Sequence, residues 1–204
     1  MTGPGRPVRM SGAARLVLAS ASPQRRAILE QLGVVFDVRP AGVEEETHGE
    51  PRAVALANAR RKALAVDLAS GELVLGADTI VAVDGDILGK PADARQAREY
   101  LARLAGRRHE VVGGIALASG GAVVASDVVV TGVDFRAVGP ETLDWYAATG
   151  EWEGRAGGYA IQGRGAALVA GVSGDYLNVV GLPVARLLEL WPALLPGAPG
   201  TAAG

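Results

Sequence analysis

The chain has 204 residues, with 20 basic against 22 acidic side chains for a net charge of −2, and no cysteine. So even a balance supplies no single-sign field of the kind that wraps nucleic acid, and the missing thiols exclude disulfides, thiolate catalysis, Cys-ligated zinc and iron–sulfur clusters. With His48 and His109 the only histidines, a histidine-built metal centre is nearly excluded too, so any metal is expected to be a hard cation held by carboxylates and substrate oxygens.

Residues 1–15 carry Arg6, Arg9 and Arg15 among Gly and Pro without an apolar core, and read as a disordered leader; Met10 is an alternative start. Leu16–Ala19 is a short strand, and Ser22-Pro23 then supplies an N-cap and a first-turn proline for a helix to about Leu32, ended by Gly33. Val34–Val38 alternates like a strand, Glu44-Glu45-Glu46 reads as loop, and Pro51 opens an Ala-rich helix to about Ala69. Leu73–Gly76 is a buried type of strand. Ile80–Val83 and Ile87-Leu88 flank Asp84-Gly85, the dipeptide of a type I′ hairpin. Pro91 and Asp93 begin a third helix ended at Gly106. Val111–Leu117 and Val123–Phe135 are strands joined through Gly120-Gly121, and Pro140 starts a helix closed by Gly150. A glycine-dense stretch from Gly154 to Gly165 precedes a strand over Ala166–Val172, a turn at Ser173-Gly174 and a last helix over Pro183–Leu190. The tail from Pro192 to Gly204, rich in Pro, Gly and Ala, is expected to be loose.

This order is mixed α/β in one domain over residues 16–191, without repeats or a flexible linker. Hydrophobic residues make up 49% of the chain, enough for a real core. The longest uncharged run, Val111–Ser126, is broken by glycine pairs and falls short of the roughly 20 apolar residues that a membrane-spanning helix needs, so no membrane segment is expected. The cysteine-free composition fits a reducing cytoplasm.

Four groups of residues are suited to chemistry. Ser20-Ala-Ser22-Pro-Gln24-Arg25-Arg26 stands where a strand turns into a helix, and its hydroxyls, free amides and Arg suit a phosphate, although an ordinary N-cap with solvated arginines reads the same way. Of 20 basic residues only Lys62 and Lys90 are lysine. A compact ammonium takes phosphate oxygens from several directions where a guanidinium demands a planar fork, which makes both lysines suspect against the alternative of chance survivors. In Leu75-Gly-Ala-Asp78-Thr79 an acid ends an apolar strand, at a sheet rim where open α/β folds bind ligands; Asp also caps turns. One of Glu44, Glu45 and Glu46 facing Asp78 across a cleft would complete a paired-carboxylate cation site, whereas otherwise the three are a solvated loop. Arg155-Ala-Gly-Gly-Tyr159-Ala-Ile161-Gln162-Gly163 combines glycines for close approach, a stackable ring and an amide suited to a base edge, against the alternative of a structural glycine loop. Trp145 and Trp152 are read as packing residues, and His48 and His109 as surface or strand-end residues.

Together these pieces resemble the Maf family of nucleoside triphosphate pyrophosphatases. The resemblance rests on Leu18-Ala-Ser-Ala-Ser-Pro23 with Arg25, Glu44-Glu45, Lys62-Ala63, Gly76-Ala-Asp-Thr79, Gly89-Lys90-Pro91, Ala156-Gly-Gly-Tyr159 with Ile161-Gln-Gly163, and Gly181-Leu-Pro183, in that order from about Leu16 to Leu190. It implies an extended mixed sheet flanked by helices, with two lobes around a central cleft, as in ITPase-like proteins, and often a homodimer. It implies hydrolysis of a nucleoside triphosphate between the α and β phosphorus to monophosphate and pyrophosphate, with a divalent cation, Mg²⁺ or Mn²⁺. By position Asp78 matches the proposed general base. Ser20, Arg25, Glu45, Lys62 and Lys90 match residues lining the triphosphate and metal site, with Ser22 at the helix start beside them and Glu45 and Asp78 as the metal ligands. Thr79 and Gln162 match base-selecting positions. Asp78-Thr79 and Ile161-Gln162-Gly163 resemble the dTTP/UTP branch rather than the 7-methyl-GTP branch; Gln24 departs from both, standing where the former has Arg and the latter an aromatic. Arg155 replaces a usual Lys. Two other readings are a nucleotide-binding regulator of division or septum formation with little turnover, and a nucleotidyltransferase.

Overall fold

The computed structural model describes residues 14–195. Nearly all of the expected leader, the possible start at Met10 and the end of the expected tail lie outside them. In chain order the elements are β1 (Arg15–Leu18), α1 (Pro23–Gln31), β2 (Phe36–Val38), α2 (Pro51–Leu64), β3 (Glu72–Val83), β4 (Asp86–Leu88), α3 (Ala94–Leu104), β5 (Arg108–Ser119), β6 (Ala122–Phe135), α4 (Pro140–Ala147), β7 (Val169–Ser173), α5 (Tyr176–Val180) and α6 (Val184–Leu190). The seven strands make one mixed sheet in the order β2-β1-β3-β5-β6-β7, with β4 also on β3. β2, β1 and β3 run parallel; β3, β5, β6 and β7 alternate in direction.

One edge of β3 has two partners. β1 pairs with its first part, Glu72–Leu75, and β4 pairs with its last part, Val81–Val83. Gly76–Ile80 therefore face a gap between the carboxyl ends of two short strands, Leu18 of β1 and Leu88 of β4, while their opposite edge is paired throughout with β5. The gap opens at the carboxyl end of β1, the place where α/β sheets bind ligands.

The two sheet faces are packed differently. On one face α2 lies unusually close, because Gly76 and Gly114 have no side chain to hold it off. A Cβ on Gly76 would stand 2.2 Å from the Ala59 carbonyl oxygen, and one on Gly114 would stand 2.2 Å from that of Ala55. Ala55, Ala59 and Ala63, one helical turn apart, form the matching smooth stripe and are fully buried. On the other face there are two apolar clusters. The first gathers Leu16, Leu18, Leu29, Leu75, Leu117 and Leu187 under α1 and α6; the second gathers Val81, Leu101, Val111, Phe135, Tyr146 and Leu168 under α3 and α4. They are the two expected lobes, one on each side of the gap.

Several expectations need correction. The strands expected at Leu73–Gly76 and Ile80–Val83 are a single strand, so Asp78 sits in the middle of β3 rather than at a strand end: pairing with β5 carries the extended chain through Gly76–Thr79. α2 stops at Leu64, not near Ala69. β7 begins at Val169, after a tight 3-10 turn over Arg164–Leu168. α5 was not foreseen: five residues are too few to show a period, although its cap, Asp175 accepting from Leu177 N at 2.8 Å, is of the usual kind. The expected loose tail starts too early, since Pro192–Leu194 form a 3-10 turn that buries Leu194 in the first cluster. Trp145 is half exposed, so it is not a packing residue; Trp152 is partly buried and donates to the Ala147 carbonyl at 2.8 Å. The Asp84-Gly85 hairpin has both φ angles positive, 54° and 84°, as a type I′ turn requires.

His109 stands at the start of β5, as the strand-end reading has it, but it is not at the surface: it is buried, edge-on to Phe135 and Tyr159 with ring centroids 4.9 and 5.5 Å away, and its Nε2 shares a 2.8 Å hydrogen bond with the Tyr159 hydroxyl. Burial pulls its pKa down to about 4, against a smaller opposing pull from Asp134. The unfolded chain therefore binds this proton more readily than the native one, so the stabilisation is complete above the unfolded value of about 6.5 and is lost as pH falls toward 4. A loss on the order of 3 kcal/mol is expected across that window. Urea midpoints measured from pH 7 to pH 4 should show it, and His109→Gln should flatten this part of the profile; an equal slope in the variant assigns the acid sensitivity elsewhere.

Candidate active site

A cleft of about 770 Å³ opens at the gap in β3, within the usual size of a small-molecule site. Ser20, Ser22, Gln24, Arg25, Glu45, Lys62, Asp78, Thr79, Lys90 and Gln162 all line it, so residues scattered over some 140 positions of sequence meet at one hollow.

Alternation along β3 divides the cleft floor. Asp78 points to the α2 face and Thr79 to the other, so neighbours in sequence serve two separate networks. On the α2 side, Lys62 Nζ donates to Asp78 Oδ1 at 2.7 Å and to the Ala77 carbonyl at 3.4 Å, and pairs with Glu45 Oε1 at 2.7 Å. Asn58, one helical turn before Lys62, donates to Asp78 Oδ2 at 3.0 Å and clamps the Glu46 backbone, accepting from its N–H at 2.8 Å and donating to its carbonyl at 2.9 Å. Of the three adjacent glutamates, Glu45 is therefore the one that faces Asp78, while Glu46 turns outward to pair with Arg61. Lys90, half exposed at the rim, lies 3.5 Å from Glu45 Oε2. Partial burial alone would push the Glu45 pKa up, but Lys62 and Lys90 outweigh it and hold the carboxyl below its usual range.

On the other side of β3, Arg25 is buried on the same face of α1 as Ile28 and Leu29. Its guanidinium donates to the Gly181 carbonyl at 2.9 Å, to Ser20 Oγ at 2.9 Å and to Thr79 Oγ1 at 3.0 Å. All three acceptors are neutral. Burial depresses its pKa, opposed by the longer-range charges of Asp78 and Glu45. A buried cation fixed by neutral oxygens at a cleft wall is an electrostatic site for an anion, because charge taken out of water is costly until it is paired. Ser22 caps α1 beside it, accepting from Arg25 N and donating from its hydroxyl to Gln24 Oε1 at 3.1 Å.

Gln162 and Gly163 come from the second lobe and are exposed along the cleft edge. Tyr159, considered for stacking, is buried with its hydroxyl turned to His109. Sequence reasoning passed over three contributors: Asn58, the Gly181 carbonyl and Glu151, which lines the cleft beside Gly163. Asn58 was detectable as an amide one turn before Lys62 on an otherwise alanine-rich face. A backbone carbonyl leaves no mark in a sequence.

Glu45 and Asp78 supply oxygen donors only, which suits a hard divalent cation that completes its shell with water and phosphate oxygens. Among the described residues no three His, Cys, Asp or Glu side chains come together, so the protein supplies part of a shell and not a closed cage.

The fold and the cleft define an α/β protein whose cleft sets a buried guanidinium and two lysines beside paired carboxylates. The Maf-like protein family model matches residues 15–193, and the chain belongs to the Maf family. A dTTP/UTP pyrophosphatase of Anaeromyxobacter sp. (strain Fw109-5) is 50% identical over 205 residues, covering 93% of this chain and 98% of that protein. Those of Thermus thermophilus and Pyrococcus furiosus are 47% and 42% identical, covering 88% and 86% of this chain and 95% and 93% of their own lengths. Likeness to solved structures is slight: a nucleoside-triphosphatase / dITP/XTP pyrophosphatase of Mycobacterium abscessus gives a TM-score of 0.40 at 21% identity, covering 61% of this chain and 75% of that one. No helix among the described residues is long and apolar enough to cross a membrane.

Proposed function

We propose that this protein is a nucleoside triphosphate pyrophosphatase, releasing pyrophosphate and the monophosphate, with UTP and dTTP as its preferred substrates. The observation that carries the proposal is the meeting, in one cleft, of a buried Arg25 that has no salt-bridge partner among the described residues with the Asp78–Lys62–Glu45 cluster. Membership of the Maf family and the names of the relatives support it.

In this mechanism the triphosphate lies along Arg25, Ser20 and the start of α1, with Lys62 and Lys90 on its other flank. Asp78 holds a water in line with the α-phosphorus and takes its proton; the water oxygen bonds to that phosphorus, and the bond to the bridging oxygen breaks, releasing pyrophosphate. Glu45 and Asp78 would hold the divalent cation, Mg²⁺ or Mn²⁺, which supplies charge neutralisation at the phosphates. The remaining contribution is positioning: the acceptors around Arg25 fix its guanidinium before substrate arrives. Thr79 and Gln162 contact the base in this reading, and Gln24, an amide where an Arg is usual, makes the cleft wall less cationic there. A cytoplasmic enzyme, working as a homodimer, is the setting we propose.

Pyrophosphate release with each canonical and modified triphosphate, with and without Mg²⁺ and with no acceptor present, tests the function. A nucleotide-binding division regulator would bind without release, and a nucleotidyltransferase would stay silent until given an acceptor. Arg25→Met should raise KM for UTP roughly tenfold to a hundredfold, the worth of a hydrogen bond to a charged group, with a smaller change in kcat. Unchanged KM in a folded Arg25→Met protein would remove the anion site from the mechanism.

A further inference from the structure

We propose that Lys62 holds the place of the divalent cation between Glu45 and Asp78 until a triphosphate arrives, so that the free protein takes up the cation poorly by itself. The inference rests on the pyrophosphatase reading of this cleft and concerns the order in which its charges assemble.

The ammonium of Lys62 lies 2.7 Å from Glu45 Oε1 and 2.7 Å from Asp78 Oδ1, linking the two carboxylates that would hold the ion. Its side chain is 10% exposed, so it is not a solvent-screened surface pair that an ion could displace at little cost. Asp78 Oδ2 is occupied as well, by Asn58 at 3.0 Å. Two carboxylates already neutralised in part by one ammonium, with no third acidic or imidazole ligand grouped beside them among the described residues, are a weak trap for a bare divalent ion. The ion would have to expel a buried ammonium that has no other anionic partner among the described residues.

A triphosphate changes both conditions. Its oxygens complete the ion's shell and give Lys62 a new anionic partner within the same cleft. The switch needs a compact charge on a flexible stem, which lysine has and the planar fork of arginine lacks. In a chain that uses arginine at 18 of its 20 basic positions, lysine stands here.

The composition also supplies the test. Lys62 and Lys90 are the only lysines, so ¹⁵N-lysine labelling of the intact protein yields two ammonium signals, assigned by Lys90→Arg. Millimolar Mg²⁺ alone should leave the Lys62 signal in place, whereas Mg²⁺ with the non-hydrolysable α,β-methylene-UTP should move it. In a second measurement, Mn²⁺ titration followed by electron paramagnetic resonance without nucleotide, Lys62→Met should bind at least about tenfold more tightly than the parent, the size of effect that groups beside a metal site exert. Displacement of the Lys62 signal by Mg²⁺ alone, or equal Mn²⁺ affinity in parent and variant, overturns the proposal. Should Lys62→Met not fold, the labelling experiment on the unmutated chain decides. Neither measurement requires turnover: a protein that behaves as described yet releases no pyrophosphate keeps this inference and loses the hydrolase, and the opposite pair of results does the reverse.

Discussion

Asp78→Asn is expected to lower pyrophosphate release from UTP by at least about a hundredfold, the usual cost of losing a general base, with the fold intact. The substitution keeps the size and planarity of the side chain, and Lys62 retains Glu45 as an ionic partner at 2.7 Å, so no buried charge is left alone. What disappears is the ability to accept a proton in the middle of β3, at a point that no other carboxylate of the described residues reaches except across Lys62. Steady-state kinetics together with thermal unfolding separate the two effects: kcat should collapse while the unfolding midpoint moves little. A variant turning over UTP at close to the parent rate would remove Asp78 from the chemistry and with it the mechanism described above.

Gly76→Val should produce the largest loss of stability. The nearest atoms to its first added carbon are the Ala59 carbonyl oxygen at 2.2 Å and the Ala63 nitrogen at 2.6 Å, both backbone, so no side chain can swing aside and α2 must lift from the sheet. Overpacking of an ordinary core costs roughly 1–3 kcal/mol and occasionally more, and displacement of a whole helix belongs at or above the top of that range. For a domain of this size that is a fall in Tm of about 6–12 °C or more, at about 2–4 °C per kcal/mol. Activity should fall further than stability alone would require, because α2 carries Asn58 and Lys62 and lifting it draws both from Asp78. A Gly76→Val protein with parental Tm would show that the close approach of α2 is not what holds the site together.

The contrast between these substitutions shows where the sequence was legible. Asp78 stood out because an acid after an apolar run is chemically conspicuous, and Lys62 and Lys90 because lysine is otherwise absent from a basic complement of arginines. Helix starts at Pro23, Pro51 and Pro140 were readable because proline at the first turn, with its fixed φ and missing N–H, acts locally. The burial of His109 and the exposure of Trp145 were illegible for the opposite reason: nothing within a few residues of either says whether another segment will cover it. Phe135 and Tyr159 enclose His109 from 26 and 50 positions away, and Trp145 finds no such cover.

Local propensity and composition thus determined the alternation of elements and the type I′ turn at Asp84-Gly85, and they picked out Asp78 and the two lysines as side chains suited to chemistry. Only the tertiary structure decided that Asp78 lies in the middle of a continuous strand and that Asn58 and the Gly181 carbonyl aim the charges. Chain-local rules reach a turn or two of helix or a hairpin, because that is the range of a backbone hydrogen bond or a cap. A gap between the ends of two short strands on a shared partner, and a helix lying flat on two glycines, exist only once segments far apart in sequence have paired and excluded water between them.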